Sequence, residues 1–455
     1  MHAPSSTTPL LQDAARRAAR YLETLADRPV PPAAAAVERL RVLDVPLPAG
    51  PTDPAAVLSE LDDAVSPATM AMAGPRFFGL VIGGSLPASL AANVLAAGWE
   101  QVSVLYDLTP GVAMLEKVAL RWVVEALGLP ASTAAGFVTG ATMANFTGLA
   151  AARHALLAGE GWDVEGRGLF GAPPITVVVG DEVHVSLLKA LAMAGLGRER
   201  VTRVAVDGQG RMRADALPRL QGPTIVCLQA GNVNTGAFDP AADIVPRAHD
   251  ARAWVHVDGA FGLWALAAPE RARLAAGFVD ADSWAVDAPK WLNVPYDSGL
   301  ALVRDEAPLR GAMAVHAAYL LEGERRNPYD TTPEMGRRAR GVEIWAALRS
   351  LGRAGLADLV ERNCRQAERF ARGLAAAGHR IRNEVVLNRV LVSFGDADRT
   401  RRVIAAVQQD GTCWCGATVW QGHTAMRISV SSWATTDDDV DRSLAAMLRA
   451  ADHQR

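Results

Sequence analysis

The chain has 455 residues, 50% of them hydrophobic and 21% charged. This globular balance excludes a wholly disordered or fibrous protein, and the length predicts two or more domains. A net charge of −3 and a pI near 6.3 give no basic footprint for nucleic acid, and no apolar run reaches the ~18–20 residues of a membrane span.

The first residues read as a short polar tail followed by an amphipathic helix, with Leu11, Ala15, Ala18, Leu22 and Leu25 on one face. This start lacks the apolar core of a secretory signal, which points to a cytosolic (cytoplasmic) protein. Helical patterns broken by Pro-rich joints (Pro29 to Pro32, Pro46 to Pro54) continue to about residue 75. From about 130 to 305, short apolar runs alternate with helical stretches: Ile175 to Val179, Val201 to Val206, Thr224 to Leu228, Ala253 to Val257, Ser283 to Val286 and Leu300 to Val303. Such alternation predicts an α/β fold with a mostly parallel sheet covered on both faces. Ligands on such sheets bind beyond the carboxyl ends of the strands.

After Arg338 a long helix is expected over Arg340 to Leu374. A strand at Val390 to Phe394, a helix at Thr400 to Gln409 and strands near Gly416 to Trp420 and Met426 to Ser431 follow. The last helix begins at Thr436, with Asp439 as its capping-box partner. These elements read as a small α+β C-terminal domain. The expected division is residues 1–80 (N-terminal helical segment), 81–335 (large domain, with a mobile loop near 311–335) and 336–455 (small domain).

Four cysteines (Cys227, Cys364, Cys413, Cys415) include one C-x-C pair with no second pair nearby, so no metal site is expected. The metalloprotease, P-loop, G-x-S-x-G and dinucleotide motifs are missing. Only three of the 46 basic residues are lysine: Lys117, Lys189 and Lys290. Arginine stays protonated, so chemistry that needs a neutral amine has three candidates. Lys117 and Lys189 fall in ordinary amphipathic patterns. Lys290 follows the apolar run SWAV and sits between Pro289 and Trp291, where desolvation lowers a lysine pKa and frees the amine.

Three further features stand after predicted strands. Thr139-Gly140-Ala141-Thr142 opens a helix, and free N–H groups there suit a phosphate. His184 follows the run Ile175 to Val179. Asp258 ends AWVHVD, where a buried carboxylate needs a partner such as a protonated ring nitrogen. Each has a structural alternative: a plain helix cap, a packing histidine, a turn-capping aspartate. Together with Lys290 they are the parts that pyridoxal phosphate requires.

At these residues the chain resembles the group II pyridoxal-phosphate-dependent amino-acid decarboxylases, the aromatic-amino-acid, glutamate and histidine decarboxylase relatives. The likeness runs from PRFFG (Pro75 to Gly79) to RISVSSW (Arg427 to Trp433) and is strong around HVDGAFG and KWLNVPYDSG. The resemblance implies a fold-type I aminotransferase-like architecture with a seven-stranded sheet, and an intertwined homodimer with its active site at the subunit interface. It implies that Lys290 carries pyridoxal 5′-phosphate as a Schiff base, that Asp258 pairs with the ring nitrogen and that His184 stacks on the ring. Ala141 and Thr142 would donate to the phosphate, and Asn232 and Ala260 would lie beside the ring. Tyr319, in the place of the family's loop tyrosine, would protonate the substrate carbon after CO2 leaves. Phe77, Phe78 and Tyr106 lie in segments that line the substrate pocket in relatives and hint at an aromatic or apolar side chain; core packing is the alternative. Arg340 would reach substrate or the partner subunit, and Arg427 could bind a carboxylate as in aminotransferases.

Two departures stand out. Pro289 replaces the histidine usual before the lysine, and Asp287 replaces the more usual Asn or Ser near the cofactor. The expected reaction is decarboxylation of an L-amino acid to the amine and CO2. Its alternatives are transamination or aldehyde formation on the same fold, and more remotely a non-catalytic pyridoxal-phosphate-binding regulator. No metal, nucleic acid or membrane partner is expected.

Overall fold

The computed structural model describes residues 7–315 and 325–454. A seven-stranded sheet is built from β1 (Ala134–Val138), β2 (Thr176–Gly180), β3 (Val201–Val204), β4 (Thr224–Gln229), β5 (Trp254–Asp258), β6 (Ser283–Asp287) and β7 (Gly299–Val303). Its order is β1-β7-β6-β5-β4-β2-β3, parallel except for β7, which runs antiparallel to both β1 and β6. The strands β4 to β7 are almost wholly buried, which is why they read as continuous apolar runs. The sequence missed β1: Ala134-Ala135-Gly136-Phe137-Val138 has three small residues and little β-branching, and only pairing with β7 makes it a strand.

Three tryptophans are the largest fully buried side chains of the core. Trp264, Trp284 and Trp291 are all fully buried, each with its indole N–H bonded: Trp264 to the Asp287 carbonyl, Trp284 to the Phe278 carbonyl and Trp291 to Asn363.

A second sheet of four antiparallel strands has the order β10-β11-β9-β8, from β8 (Arg380–Ile381), β9 (Arg389–Ser393), β10 (Gly416–Trp420) and β11 (His423–Ser429). Helices Ala397–Asp410 and Asp437–His453 pack on it. The second of these begins as expected, with Thr436 and Asp439 forming a reciprocal capping box. The long helix Gly341–Ala376 carries a break at Gly352, whose φ of +59° favours glycine.

The N-terminal helix Thr7–Thr24 buries none of its residues within the chain; Leu11 is 58% exposed and Leu22 41%. Of the apolar stripe seen in the sequence, Leu25 is buried against Val30, Ala71 and Phe77, whereas Leu11 and Leu22 stay exposed in this subunit. No helix among the described residues is long and apolar enough to cross a membrane.

Candidate active site

The residues singled out in the sequence gather at the carboxyl ends of β1, β2, β5 and β6, where an α/β sheet presents its ligands. Lys290 lies in a short helical turn, Ala288–Trp291, directly after β6. Pro289 is in the first turn of that helix, where its missing N–H costs nothing. Gly83 passes under this turn, its N–H donating to the Pro289 carbonyl at 3.1 Å. A side chain there would place its Cβ 2.1 Å from the Lys290 carbonyl oxygen, so only glycine permits the approach. The Lys290 side chain is 19% exposed, and its Nζ lies 3.1 Å from Asp287 Oδ2.

The other oxygen of Asp287 crosses to a different element. Oδ1 accepts the Ala141 N–H at 3.1 Å, at the first residue of the helix Ala141–Gly159. Gly140 supplies no side-chain cap to this helix. A carboxylate thus already sits where the free N–H groups and helix dipole favour an anion. Burial pushes the Asp287 carboxyl above the ordinary range, and the Lys290 ammonium opposes that rise. Beside this turn, Ser298 is buried with a hydroxyl that has no partner, while its carbonyl accepts the Ala288 N–H.

Asp258 ends β5 and is 5% exposed. Its Oδ1 accepts the Ala260 N–H at 3.2 Å and its Oδ2 the Asn145 amide at 3.3 Å. No Lys or Arg nitrogen lies within ion-pair distance of it among the described residues. A buried carboxylate with only neutral donors suits an incoming cationic group such as a protonated ring nitrogen.

Behind Asp258 runs a buried chain of hydrogen bonds whose direction is fixed. The carboxylate only accepts, so the amide nitrogen of Asn145 faces Asp258 and its Oδ1 faces His256 Nε2 at 2.8 Å. That nitrogen must carry the proton. His256 Nδ1 then accepts from the Ser283 hydroxyl at 2.8 Å, and Ser283 in turn accepts the Trp254 indole N–H at 2.8 Å. Burial lowers the His256 pKa to about 4, which keeps the ring neutral with a single N–H, as this chain requires.

His184 caps the helix Val185–Met193, its Nδ1 2.7 Å from Ser186 Oγ and accepting the Ser186 N–H at 3.3 Å. Burial lowers its pKa, and Asp258, Lys290, Arg427 and Arg389 all act on it electrostatically. It therefore presents a neutral ring among those groups.

The other expected positions divide. Ala260 bridges two site residues: its N–H goes to Asp258, and its carbonyl accepts the Asp287 N–H at 2.8 Å. Thr142 follows Ala141 in the same first helical turn. Asn232 instead spends its side chain inside the loop after β4, accepting from Asn234 and Thr235 N–H and donating to Gln229.

Phe77 stacks on Trp414 with ring centroids 5.2 Å apart, and Phe78 is fully buried against Phe370 at 5.1 Å. Residues 77–79 thread beside the small sheet, with the Phe78 N–H bonded to the Trp414 carbonyl and the Ser429 N–H to the Phe78 carbonyl. Phe78 packs into the small-sheet core and Phe77 against Leu25, Val30 and Ala71 of the N-terminal segment, and this packing lends no support to an aromatic substrate pocket lined by them. Tyr106 lies under Arg325 at 4.7 Å. Arg340 is tied to Asp297, its Nε and Nη2 at 3.0 and 3.2 Å from the carboxylate. Tyr319 lies outside the described residues.

Arg427, noted in the sequence, is joined by Arg389, which was not singled out there. The β9–β11 register sets Arg389 opposite Ser429, two residues from Arg427, so all three share one face of the small sheet. Arg389 is fully buried over the Phe261 ring at 4.2 Å, and Arg427 reaches Asn234 at 3.4 Å. Neither guanidinium has a carboxylate within ion-pair distance among the described residues, and burial lowers the pKa of both.

Comparison with known proteins gives the family and the fold. The pyridoxal-dependent decarboxylase conserved domain matches residues 37–394. Tryptophan decarboxylase 1 of Oryza sativa subsp. japonica is 27% identical over 416 residues, 82% of this chain and 80% of the relative. L-2,4-diaminobutyrate decarboxylase of Rhizobium meliloti (strain 1021) is 28% identical over 426 residues, 88% of this chain and 83% of the relative. Among solved structures, Oryza sativa TDC with PLP and tryptamine superposes with a TM-score of 0.90 at 21% identity, covering 99% of both chains, a likeness of fold.

Proposed function

The chain belongs to the pyridoxal-dependent decarboxylase family, and from that premise we propose how its own residues carry out the loss of CO2 from an L-amino acid to leave the amine. The enzyme is a carboxy-lyase, its cofactor is pyridoxal 5′-phosphate and its fold is fold-type I. The observation that carries the residue assignment is the convergence of the Lys290 amine, the Asp258 carboxylate and the Ala141 helix start at the carboxyl ends of one sheet.

Bound there, the cofactor supplies an electron sink for the pair left on Cα as CO2 departs. Lys290 is the residue that holds it covalently, since its amine is partly shielded and kept in place by Asp287. Asp258, with Asn145 and the Ala260 N–H behind it, holds a proton on the ring nitrogen. His184, neutral and fixed by Ser186, would offer its imidazole face to the cofactor ring. Ala141, Thr142 and the orphaned Ser298 hydroxyl are donors for the phosphate. Tyr319 delivers the proton to Cα, which directs the outcome to amine over aldehyde. We read the protein as a cytoplasmic homodimer of three segments (1–80, 81–335, 336–455). The exposed apolar stripe of the first helix, Leu11 and Leu22, supports this as the surface that a second copy covers.

Transamination is a second reading. The unpaired Arg427 favours it, because a retained substrate carboxylate needs such a partner. Lys290→Arg tests the assignment. Arginine cannot serve as the amine, so the variant is expected to lose both the visible absorbance of bound cofactor and CO2 release. A coloured, active variant would remove Lys290 from its role.

A further inference from the structure

We propose that Asp287 is a stand-in anion at the phosphate site: its carboxylate holds the Ala141 N–H and the Lys290 ammonium until the cofactor's phosphate arrives, and it accepts a proton from solvent as the phosphate takes its place. The proposal rests on the reading of Lys290 and the Ala141 turn as the cofactor site. It concerns loading of the enzyme, not the reaction.

The geometry is specific. Asp287 precedes the turn that carries Lys290, yet its side chain makes no cap bond to that turn. One oxygen instead reaches the first amide of a 19-residue helix, 146 positions away in the chain, and the other reaches Lys290 Nζ, each at 3.1 Å. The Ala141 contact is the one a phosphate at this helix start would claim, while the Lys290 contact must be given up for the amine to hold the cofactor. The backbone leaves Asp287 little room to withdraw. Its N–H is bonded to the Ala260 carbonyl, its carbonyl accepts the Trp264 indole N–H, and it is paired with Gly299 across β6 and β7.

The surroundings do not tolerate a second anion beside an ionised Asp287. Among the described residues, the cation beside it is Lys290, with Nζ 3.1 Å from its carboxylate. Asp258, from the end of β5, adds negative charge. Tyr296, in the loop after the lysine turn, is 61% exposed and is a neutral phenol, its pKa held up by partial burial and the Asp287 charge. Neighbouring Ser298, Gly299 and Gly140 carry no charge. A doubly charged phosphate brought to this point is accommodated when Asp287 is protonated and donates to it. The burial that already pushes its carboxyl up acts in the same direction.

The experiment is calorimetric titration of cofactor-free protein with pyridoxine 5′-phosphate, which has the ring and phosphate but no aldehyde. Buffers of different ionisation enthalpy count the protons, at about pH 8, where a phosphate monoester with second pKa near ~6 is doubly charged. Wild type is expected to take up about one proton more than D287N. Its Kd relative to that of D287N is expected to rise about tenfold per pH unit above the titration of Asp287. If D287N does not fold, inorganic phosphate on wild type is the second probe, and uptake of about one proton is again expected. Binding with equal proton counts and parallel pH profiles, or phosphate binding without uptake, overturns the role of Asp287 and leaves the cofactor site standing. No binding of pyridoxine 5′-phosphate by either protein overturns the cofactor site and this proposal with it.

Discussion

Replacing Asn145 by alanine tests whether the buried chain behind Asp258 is an energetic unit. Asn145 is fully buried and spends both ends of its amide, one on Asp258 and one on His256. Truncation removes a hydrogen bond to a carboxylate, worth about 1.5–3 kcal/mol, and strands the His256 Nε2–H, a further ~1–3 kcal/mol. The combined loss is about 2.5–6 kcal/mol. Unfolding a chain of 455 residues carries a melting entropy of about 1 kcal/mol/K at ~2.1 cal/mol/K per residue, so Tm should fall by about 2.5–6 °C. Scanning calorimetry of the cofactor-free protein reads this without interference from ligand stabilisation. In the His256→Ala background the same change should cost about 1–3 kcal/mol less, because no donor is left to strand. A Tm shift under about 1 °C for Asn145→Ala, or full additivity in the cycle, would refute the fixed direction of the chain.

Acid stability follows from the same histidine. His256 titrates near 4 in the fold and near ~6.5 when unfolded, so the unfolded state binds the extra proton. Its contribution is complete above about pH 6.5 and is lost as pH falls toward 4, by about 3 kcal/mol in all. Denaturant unfolding of wild type and His256→Gln over this range should show the variant with the shallower pH slope; equal slopes would contradict it. Glu116→Gln should cost about 3–5 kcal/mol. Burial pushes the Glu116 carboxyl up, Arg337 and Arg326 overcome this, and the Arg337 contact at 2.7 Å is fully enclosed. A urea midpoint within error of wild type would mean that the cluster contributes nothing. Tyr319→Phe should move product from amine toward aldehyde with oxygen uptake; unchanged amine output would take Tyr319 out of the proton delivery.

Strands were legible where burial on both faces forced continuous apolar runs, as in TIVCLQ of β4, and illegible where small residues carry no strand preference, as in AAGFV of β1. Lys290 was legible because only three lysines exist and one follows a buried strand. What Asp287 does was not, since its partner Ala141 lies on another strand-helix unit and nothing local encodes the contact. Arg389 begins a run, RVLVS, that reads as an ordinary strand; an inward-facing arginine in such a run is the one clue it offered. Aromatics in sequence near a pocket segment carry no direction: Phe78 packs into the small-sheet core, while Phe77 packs with Leu25, Val30 and Ala71 of the N-terminal segment.

The central claim is tested most directly by incubating the cofactor-loaded protein with each of the twenty L-amino acids, without any keto acid, and measuring CO2 and amine together. At least one substrate is expected to yield the two in equal amounts. Amino-group transfer that requires a keto acid and releases no CO2 would contradict it.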